Sequence, residues 1–553
     1  MDAKKLISRC SGLKSNWSTR DKKIREWYDV LTLKDELAQE GMESVVSNDP
    51  RTGFNLGKHL MTSSIVAHKI EVEGLSPESI EATSYLEDYF DRRWSTEESR
   101  YRRIGKQGMK SQLVALMLAT GWYSAFSMVD ENRIWSEVYN PIEVYPEFGS
   151  DGLVEIAHIY NMKPAVANRK AKLMGWDIKY PFTHNTNLYN YWGFDDESDV
   201  VNGIVLGQQY VKPLQKDPAL SKLGIIPIFI SPVGGLPDTG AIRPKWQEHF
   251  GESIIATNEE LAKNYNRMLT FSQQLMRDTA NPRWFEQSSG DTPILREEDL
   301  FKRGAIFRGA PGENVGPLPV PPIPVELRQA LFDYQNMLQR GLFPWAIFGN
   351  IQQQMSYLAM ANIASAALQV LTPYMEAFRG VLSDIDNFQT RMIMENGFRP
   401  YGLKIPENLP REFEFNVQAD IEIPGYLIQR ATVSRMLNPN FRLPERWVID
   451  KMFPEVKDPL RSQAMVRTED AMMHPKAILV DSIIAYRKQA RRFRNAKPPD
   501  IDSAKLYEKL ATSLEAELAI PEQPRRGVAP EVVVPREVMP GEATEGLEGL
   551  VRR

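Results

Sequence analysis

The sequence predicts an α+β fold, and three observations carry that prediction. Apolar residues recur at helical spacing over the first 125 positions, short strand-like segments follow one another between about 134 and 230, and long helical stretches run from 252 to 395 and from 429 to 520. At 553 residues the chain is too long for one simple core, so two or three packing units are expected. Its 42% apolar and 25% charged residues are the proportions of an ordinary globular protein. A net charge of -5 supplies no bulk attraction to nucleic acid, so any DNA contact must be local or weak. The single cysteine, Cys10, excludes an intrachain disulfide and suits a reducing cytoplasm. No run approaches the roughly 20 apolar residues that span a bilayer, and Met1 to Trp17 lacks the apolar stretch of a signal peptide. No membrane association is expected.

The N-terminal helices are read from Leu31, Leu33, Leu37, Leu60, Ile65 and Val66. Ser76-Pro77 marks a helix start, with Ser at the cap and Pro in the first turn. The helix that follows, about Glu78 to Trp94, places Ile80, Tyr85, Leu86, Tyr89 and Phe90 on its apolar side. A basic cluster from Arg100 to Lys110 then leads into an apolar helix, Gln112 to Thr120, ending at Gly121. From there the rhythm changes to strands: Ile134 to Tyr139, Leu153 to Tyr160, Trp176 to Tyr180, Leu188 to Trp192, Ile204 to Val211 and Ile225 to Ile230. The polar stretch Asp195 to Asp199 reads as a loop tip.

After a Gly/Pro loop from Ser231 to Arg243, a helix is predicted from Glu252 to Thr279, stopping at Asn281-Pro282. Arg283 to Glu286 and Ala305 to Arg308 resemble short strands, and recurring prolines between Pro311 and Pro324 oppose helix and central strand alike. A second helix, Pro324 to Arg340, breaks at Gly341. The connection Leu342 to Asn350 is unusually aromatic. A very long helix is then expected from Gln352 to Glu395, roughly 60 Å in length, with a kink at Pro373. Phe413 to Ala419 alternates cleanly and is expected as a strand returning to the β-rich block. Helices resume from Gln429 to Ile520, and one of them, Ala477 to Asn495, ends in a basic run. Beyond Pro521 the composition fits a flexible tail.

Catalytic chemistry requires a constellation, and none is legible. Gly53 to Lys58 lacks the spacing and the Ser/Thr of a phosphate loop. The six histidines, His59, His68, His158, His184, His249 and His474, form no metal-binding spacing. No nucleophile elbow is present, and Cys10 has no paired base in view. The acidic runs Asp195 to Glu197 and Glu297 to Asp299 read as solvated loop charge. The chain therefore reads as a non-enzyme, with no catalytic residue, cofactor or metal.

The order of elements from Glu252 to Ala419 resembles that of the portal proteins, or head–tail connectors, of tailed bacteriophages. The resemblance rests on order and texture and covers most of the chain. It implies a portal-like subunit: residues 1–251 as a wing of helices and a β-rich block, 252–280 as the first stem helix, 281–323 as the clip, 324–340 as the second stem helix, and 341–354 as the tunnel loop. Residues 355–430 would be the long kinked wing helix and its returning strand, 431–520 the helical crown, and 521–553 a flexible tail. The implied function is a homo-oligomeric ring, about a 12-mer, at the capsid vertex of a virion assembled in the host cytoplasm. Double-stranded DNA would pass through it during packaging, retention and ejection. Terminase, the major capsid protein or scaffold, and tail adaptors would be its partners. Alternative readings are another oligomeric virion or tail component, or a DNA-processing enzyme.

Under this resemblance the loop residues Phe343, Trp345, Asn350, Gln352 and Gln353 are candidates for contact with DNA, with packing under the long helix as the competing role. Lys263, Arg267, Arg328 and Arg340 are candidates for lining the channel, with salt bridges to neighbouring copies as the competing role. Lys488, Arg491 and Arg492 fall on one helical face of the crown, candidates for phosphate contact with a solvated face or an intersubunit contact as the competing role. At -5 per copy, about twelve copies would carry roughly -60, a charge that lets DNA slide rather than stick.

Overall fold

A computed structural model describes residues 2–40, 44–71, 77–150, 152–235, 251–280, 284–288, 290, 311–317, 324–343, 368–407, 409, 413–421, 472–496, 499–518 and a few positions between 431 and 470. The chain divides into two compact units, Met1–Lys457 and Asp458–Arg553. The first opens with helices α1 (Ala3–Asn16), α2 (Ser18–Leu31) and α3 (Asp49–Thr62), strand β1 (Ile65–Glu71), and helices α4 (Pro77–Arg103) and α5 (Met109–Thr120). Strands β2 (Trp122–Val129), β3 (Ile134–Val138), β4 (Val144–Gly149) and β5 (Gly152–Met162) follow. Next come helix α6 (Pro164–Leu173), strands β6 (Thr186–Phe194), β7 (Val200–Leu206) and β8 (Gln209–Lys216), the single turn α7 (Pro218–Ser221) and β9 (Ile228–Pro232). Helix α8 (Glu259–Ala280), strands β10 (Trp284–Gln287) and β11 (Asn314–Pro317), helices α9 (Val325–Arg340) and α10 (Thr372–Asn396), and strand β12 (Glu414–Asp420) complete it. The second unit holds α11 (Pro475–Arg494) and α12 (Ile501–Leu518). The α+β class is thus the one the sequence predicts.

Two antiparallel sheets form the heart of the first unit, a meander in the order β4-β5-β6-β7-β8 and a three-stranded sheet β3-β2-β9. Helix α1 lies across the meander. Its Arg9 pairs with the buried Glu155 of β5 at 2.5 Å, and the Trp17 indole donates to the Pro146 carbonyl at 2.7 Å. Arg20 of α2 sits 4.7 Å from the Trp17 ring and 5.4 Å from that of Trp122. Burial lowers its pKa against the pull of Asp21, its buried ion-pair partner at 2.9 Å. Helix α5 is buried nearly all round, through Leu113, Val114, Met117 and Leu118. It ends at Gly121, whose φ of +67° is open chiefly to glycine. A Cβ there would also run into the Glu252 backbone.

Helix α10 packs Phe378, Val381, Ile385, Phe388 and Met392 into the same core. Beside that stripe lies a buried polar knot. Asp386, 0% exposed, accepts from the Trp94 indole at 2.8 Å and meets His68 Nδ1 at 2.5 Å. Gln389 donates to Ser127 at 2.6 Å, and Arg93 donates to Ser136. The knot joins α4, α10, β1, β2 and β3 through groups that are costly to bury unpaired.

Several elements differ from the sequence expectation, each for an identifiable reason. Ile65 and Val66 belong to strand β1, whose partner β12 lies some 350 positions on, so no local period reveals it. For the same reason β12 pairs with β1 and does not return to the β-rich block. Strand β2 is buried along almost its whole length and shows no alternation. Strand β4 carries Pro146, tolerated because β4 is an edge strand. Trp176 to Tyr180 is a loop, with Trp176 and Ile178 packing on a satellite core. Ile204 to Val211 is the end of β7 and the start of β8, turning at Gly207 with φ +65°.

The predicted Glu252 helix begins only at Glu259, because residues 251–255 are tied to α5: Ile254 N–H donates to the Leu118 carbonyl at 3.0 Å. Strand β10 pairs with β11, inside the Pro-rich stretch, in an isolated two-stranded ribbon where proline costs no central ladder bond. Ala305 to Arg308 lies outside the described residues. So does the N-terminal part of the predicted long helix. Pro373 occupies the first turn of α10, where its missing N–H costs nothing, and a 3-10 turn at Gln369–Leu371 precedes it. Helix α10, at 25 residues, is about 37 Å long.

Candidate functional site

The most distinctive feature is the antiparallel pair α8 and α9 with the β10–β11 ribbon beyond it. Asn258, in the 3-10 turn Ala256–Asn258 before α8, donates to the Leu338 carbonyl of α9 at 2.7 Å. A Cβ at Gly341 would strike that Asn258 side chain, so the chain leaves α9 at a glycine. Between the helices Leu261, Tyr265 and Leu269 meet Leu331, Tyr334 and Leu338. Buried Glu259 fixes the root of α8, with Lys23 at 2.7 Å and Lys263 at 2.9 Å. Burial alone would raise the Glu259 pKa, but hydrogen bonds from the two lysines hold it below its ordinary value.

Several large apolar side chains of the pair and the ribbon are left open. Phe271 is 50% exposed, Met276 52%, Phe332 55% and Met337 51%, and on the ribbon Trp284 and Phe285 are 44% and 49% exposed. Large side chains left this open are a reason to expect a partner. Sequence reasoning assigned the helices but did not single out these residues. The signal lay in apolar residues falling outside the seam stripe, such as Phe271 two positions after Leu269 and Phe332 directly after Leu331.

The candidate residues distribute unevenly. Lys263 is engaged with Glu259 inside its own subunit, and this raises its pKa even though burial opposes it. Arg267, Arg328 and Arg340 are exposed and form no ion pair among the described residues. Phe343 is 1% exposed and belongs to the main core, beside Gly57 of α3, so its ring presents no surface to a duplex. Trp345, Asn350, Gln352 and Gln353 lie outside the described residues. A cavity of about 290 Å³ adjoins the α9 root, lined by Val30, Pro50, Ile255, Leu338, Leu342 and Phe343 among others. Its lining brings together no set of groups suited to catalysis.

In the second unit α11 and α12 form a hairpin closed by Ile483, Ala490, Ala504 and Ala511. Ion pairs Arg487–Glu515 and Arg494–Glu508, each 2.5 Å, lock it, and Phe493 stacks on Tyr507 at 5.6 Å. Lys488, Arg491 and Arg492 stay exposed on α11 with no ion pair among the described residues. Where Asp195, Glu197 and Asp199 converge, the Lys216 ammonium already sits among them, 2.6 Å from Asp199. The hydrogen bonds to Asp199 and Glu197 raise the Lys216 pKa, so the cluster holds its own cation.

No family model matches the sequence, and no curated protein sequence matches it. Among solved structures the chain is similar to one from the neck of a native GTA (gene transfer agent) particle computed with C12 symmetry, at 11% identity, covering 73% of this chain and 89% of that one with a TM-score of 0.38. It is also similar to one from the neck of an empty GTA particle computed with C6 symmetry, at 12% identity, covering 77% and 93% with a TM-score of 0.40. A chain from the virion of a native gene transfer agent particle has 11% identity, the same coverages and a TM-score of 0.40.

Proposed function

We propose that the chain is a non-enzymatic ring subunit of portal type, of which about twelve copies surround a channel for double-stranded DNA at a capsid vertex. One observation carries the reading. Helices α8 and α9 satisfy each other along a narrow seam, yet leave Phe271, Met276, Phe332 and Met337 in water on their outer sides. A head-to-tail ring places the outer side of one pair against the next and removes that surface from water in every copy. The β10–β11 ribbon then projects beyond the helix pair as a docking edge for tail adaptors, the counterpart of a clip. In this arrangement the exposed Arg267, Arg328 and Arg340 line the channel or bridge neighbouring copies, and terminase and capsid or scaffold protein are the remaining partners.

Sedimentation velocity and negative-stain images of the purified chain test the proposal. A ring of about twelve copies with a central hole is expected, and Phe271→Ser with Phe332→Ser should shift the population toward monomer. A wild-type chain that stays monomeric at high concentration overturns the ring. Divalent-dependent DNA cleavage by the isolated chain overturns the non-enzymatic reading.

A further inference from the structure

A second surface lies on the β5–β6 connection and combines exposed apolar side chains with cations. Helix α6 turns Ala167 and Ala171 onto the meander sheet, where they meet Met162, Leu188 and Leu206. Its opposite side therefore carries Val166, Arg169 and Leu173, spaced i, i+3 and i+7, with Lys172 alongside. Val166 is 53% exposed, Leu173 75%, Met174 59%, and Tyr180 in the following loop 75%. From Lys163 to Tyr180 the sequence holds five cations and one acid, Asp177, in a chain whose net charge is -5.

Lys163, Arg169, Lys172 and Lys179 are exposed and have no ion-pair partner among the described residues. Other exposed cations, Lys34, Arg92, Arg133 and Lys216 among them, do find carboxylates in the same chain. The surface is also held rigid. Asn168 and Phe182 exchange two hydrogen bonds of 2.9 Å, and Gln209 accepts from Lys179 N–H at 2.8 Å and donates to the Tyr180 carbonyl at 3.1 Å.

We infer that this face, Val166, Arg169, Lys172, Leu173, Met174 and Tyr180, docks an acidic segment of another protein that carries apolar side chains between its carboxylates. The cations select the acid, and the apolar residues select a protein over a nucleic acid. Phosphate contacts neutralise charge without covering leucine and methionine, whereas the centres of protein interfaces gain from burying Met, Tyr and Arg. Because the loop is already pinned, little ordering opposes binding.

The test uses the full chain and three fluorescent probes: a synthetic peptide with Leu and Phe between Glu residues, the same peptide with Ser in place of Leu and Phe, and a short DNA duplex. The first should bind the wild type at least tenfold tighter than it binds Arg169→Glu with Lys172→Glu, and tenfold tighter than it binds Leu173→Ser with Met174→Ser. All four positions are exposed, and circular dichroism identifies any variant that misfolds. Equal binding of the Ser peptide reduces the site to charge alone and overturns the inference. So does unchanged binding by either folded double variant, or preferential binding of the duplex through these residues.

Discussion

Replacing Asp386 with Ala should be among the most damaging single changes in the first unit, and the size of the loss can be worked from its contacts. The carboxylate is 0% exposed, 2.8 Å from the Trp94 indole nitrogen and 2.5 Å from His68 Nδ1. It is also the first attractive charge acting on the fully enclosed Arg93 guanidinium, whose pKa burial pushes down. Truncation leaves two buried nitrogens without their acceptor, at about 1–3 kcal/mol each, and removes a buried counter-charge. Removing one partner of such a buried set costs roughly 3–5 kcal/mol. Asp386→Asn keeps the shape and an acceptor for Trp94, and should cost less. The chain supplies its own assay: Cys10 is the only cysteine, is 0% exposed, and has a thiol pKa that burial pushes up to about 12. Its labelling by a thiol reagent across a urea series therefore reports opening of the first unit. Trp94→Phe added to Asp386→Ala should cost less than its effect alone, because the two share one bond. A loss below about 1 kcal/mol for Asp386→Ala, or strict additivity with Trp94→Phe, would refute the account of the knot.

Three further outcomes are expected. His158 is enclosed between Tyr139, centroid to centroid 3.8 Å, and Tyr160, and burial lowers its pKa from 6.5 to about 3. Below pH 6.5 the unfolded chain binds a proton that the folded one refuses, so stability falls as the pH drops toward 3; by pH 5 the loss is about 2 kcal/mol. His158→Phe, which keeps the stack, should flatten the Cys10-labelling stability curve between pH 7.5 and 5, and parallel curves would exclude the mechanism. Phe343→Ala should cost roughly 3–5 kcal/mol in the same assay because Phe343 is a core side chain. Trp345→Ala, made alone in the proposed ring, should leave assembly intact and impair DNA packaging or retention; loss of the ring would remove the loop from the channel.

What the sequence disclosed depended on how local the cause was. Helices α8 and α9 were legible because their seam residues repeat at helical spacing and their stops are marked by Pro282 and Gly341. The alternating strand β12 was equally clear, yet its partner was not, since pairing with β1 is decided by tertiary packing against α10 and α4. Buried strands such as β2 carry no period at all. The same limit applied to the candidate residues. Lys263 looked like a channel cation because nothing nearby in sequence shows Lys23 of α2 converging on the same Glu259. Phe343 looked like an exposed loop residue because the space its ring fills lies beside Gly57, on a helix nearly three hundred positions earlier.

Those contacts bear on assembly as well. The root of the helix pair is secured from inside the subunit: backbone bonds from residues 252–254 to Val233 and Leu118, the Asn258 side chain on Leu338, and the two lysines on Glu259. The seam residues close the pair on itself. Phe271, Met276, Phe332 and Met337 stand outside that cluster and are about half exposed. Burying the exposed part of one in a neighbour therefore gives about 0.8–1.5 kcal/mol before ordering costs, and the proposed ring would repeat that gain at every junction. On the proposed reading, four large apolar side chains half in water, on helices anchored by other contacts, would keep the assembly energy of the ring apart from the folding energy of the chain. Serine at Phe271 and Phe332 should therefore dissolve the ring and leave the Cys10-labelling transition where it was; a parallel loss of subunit stability would mean that these residues belong to the fold.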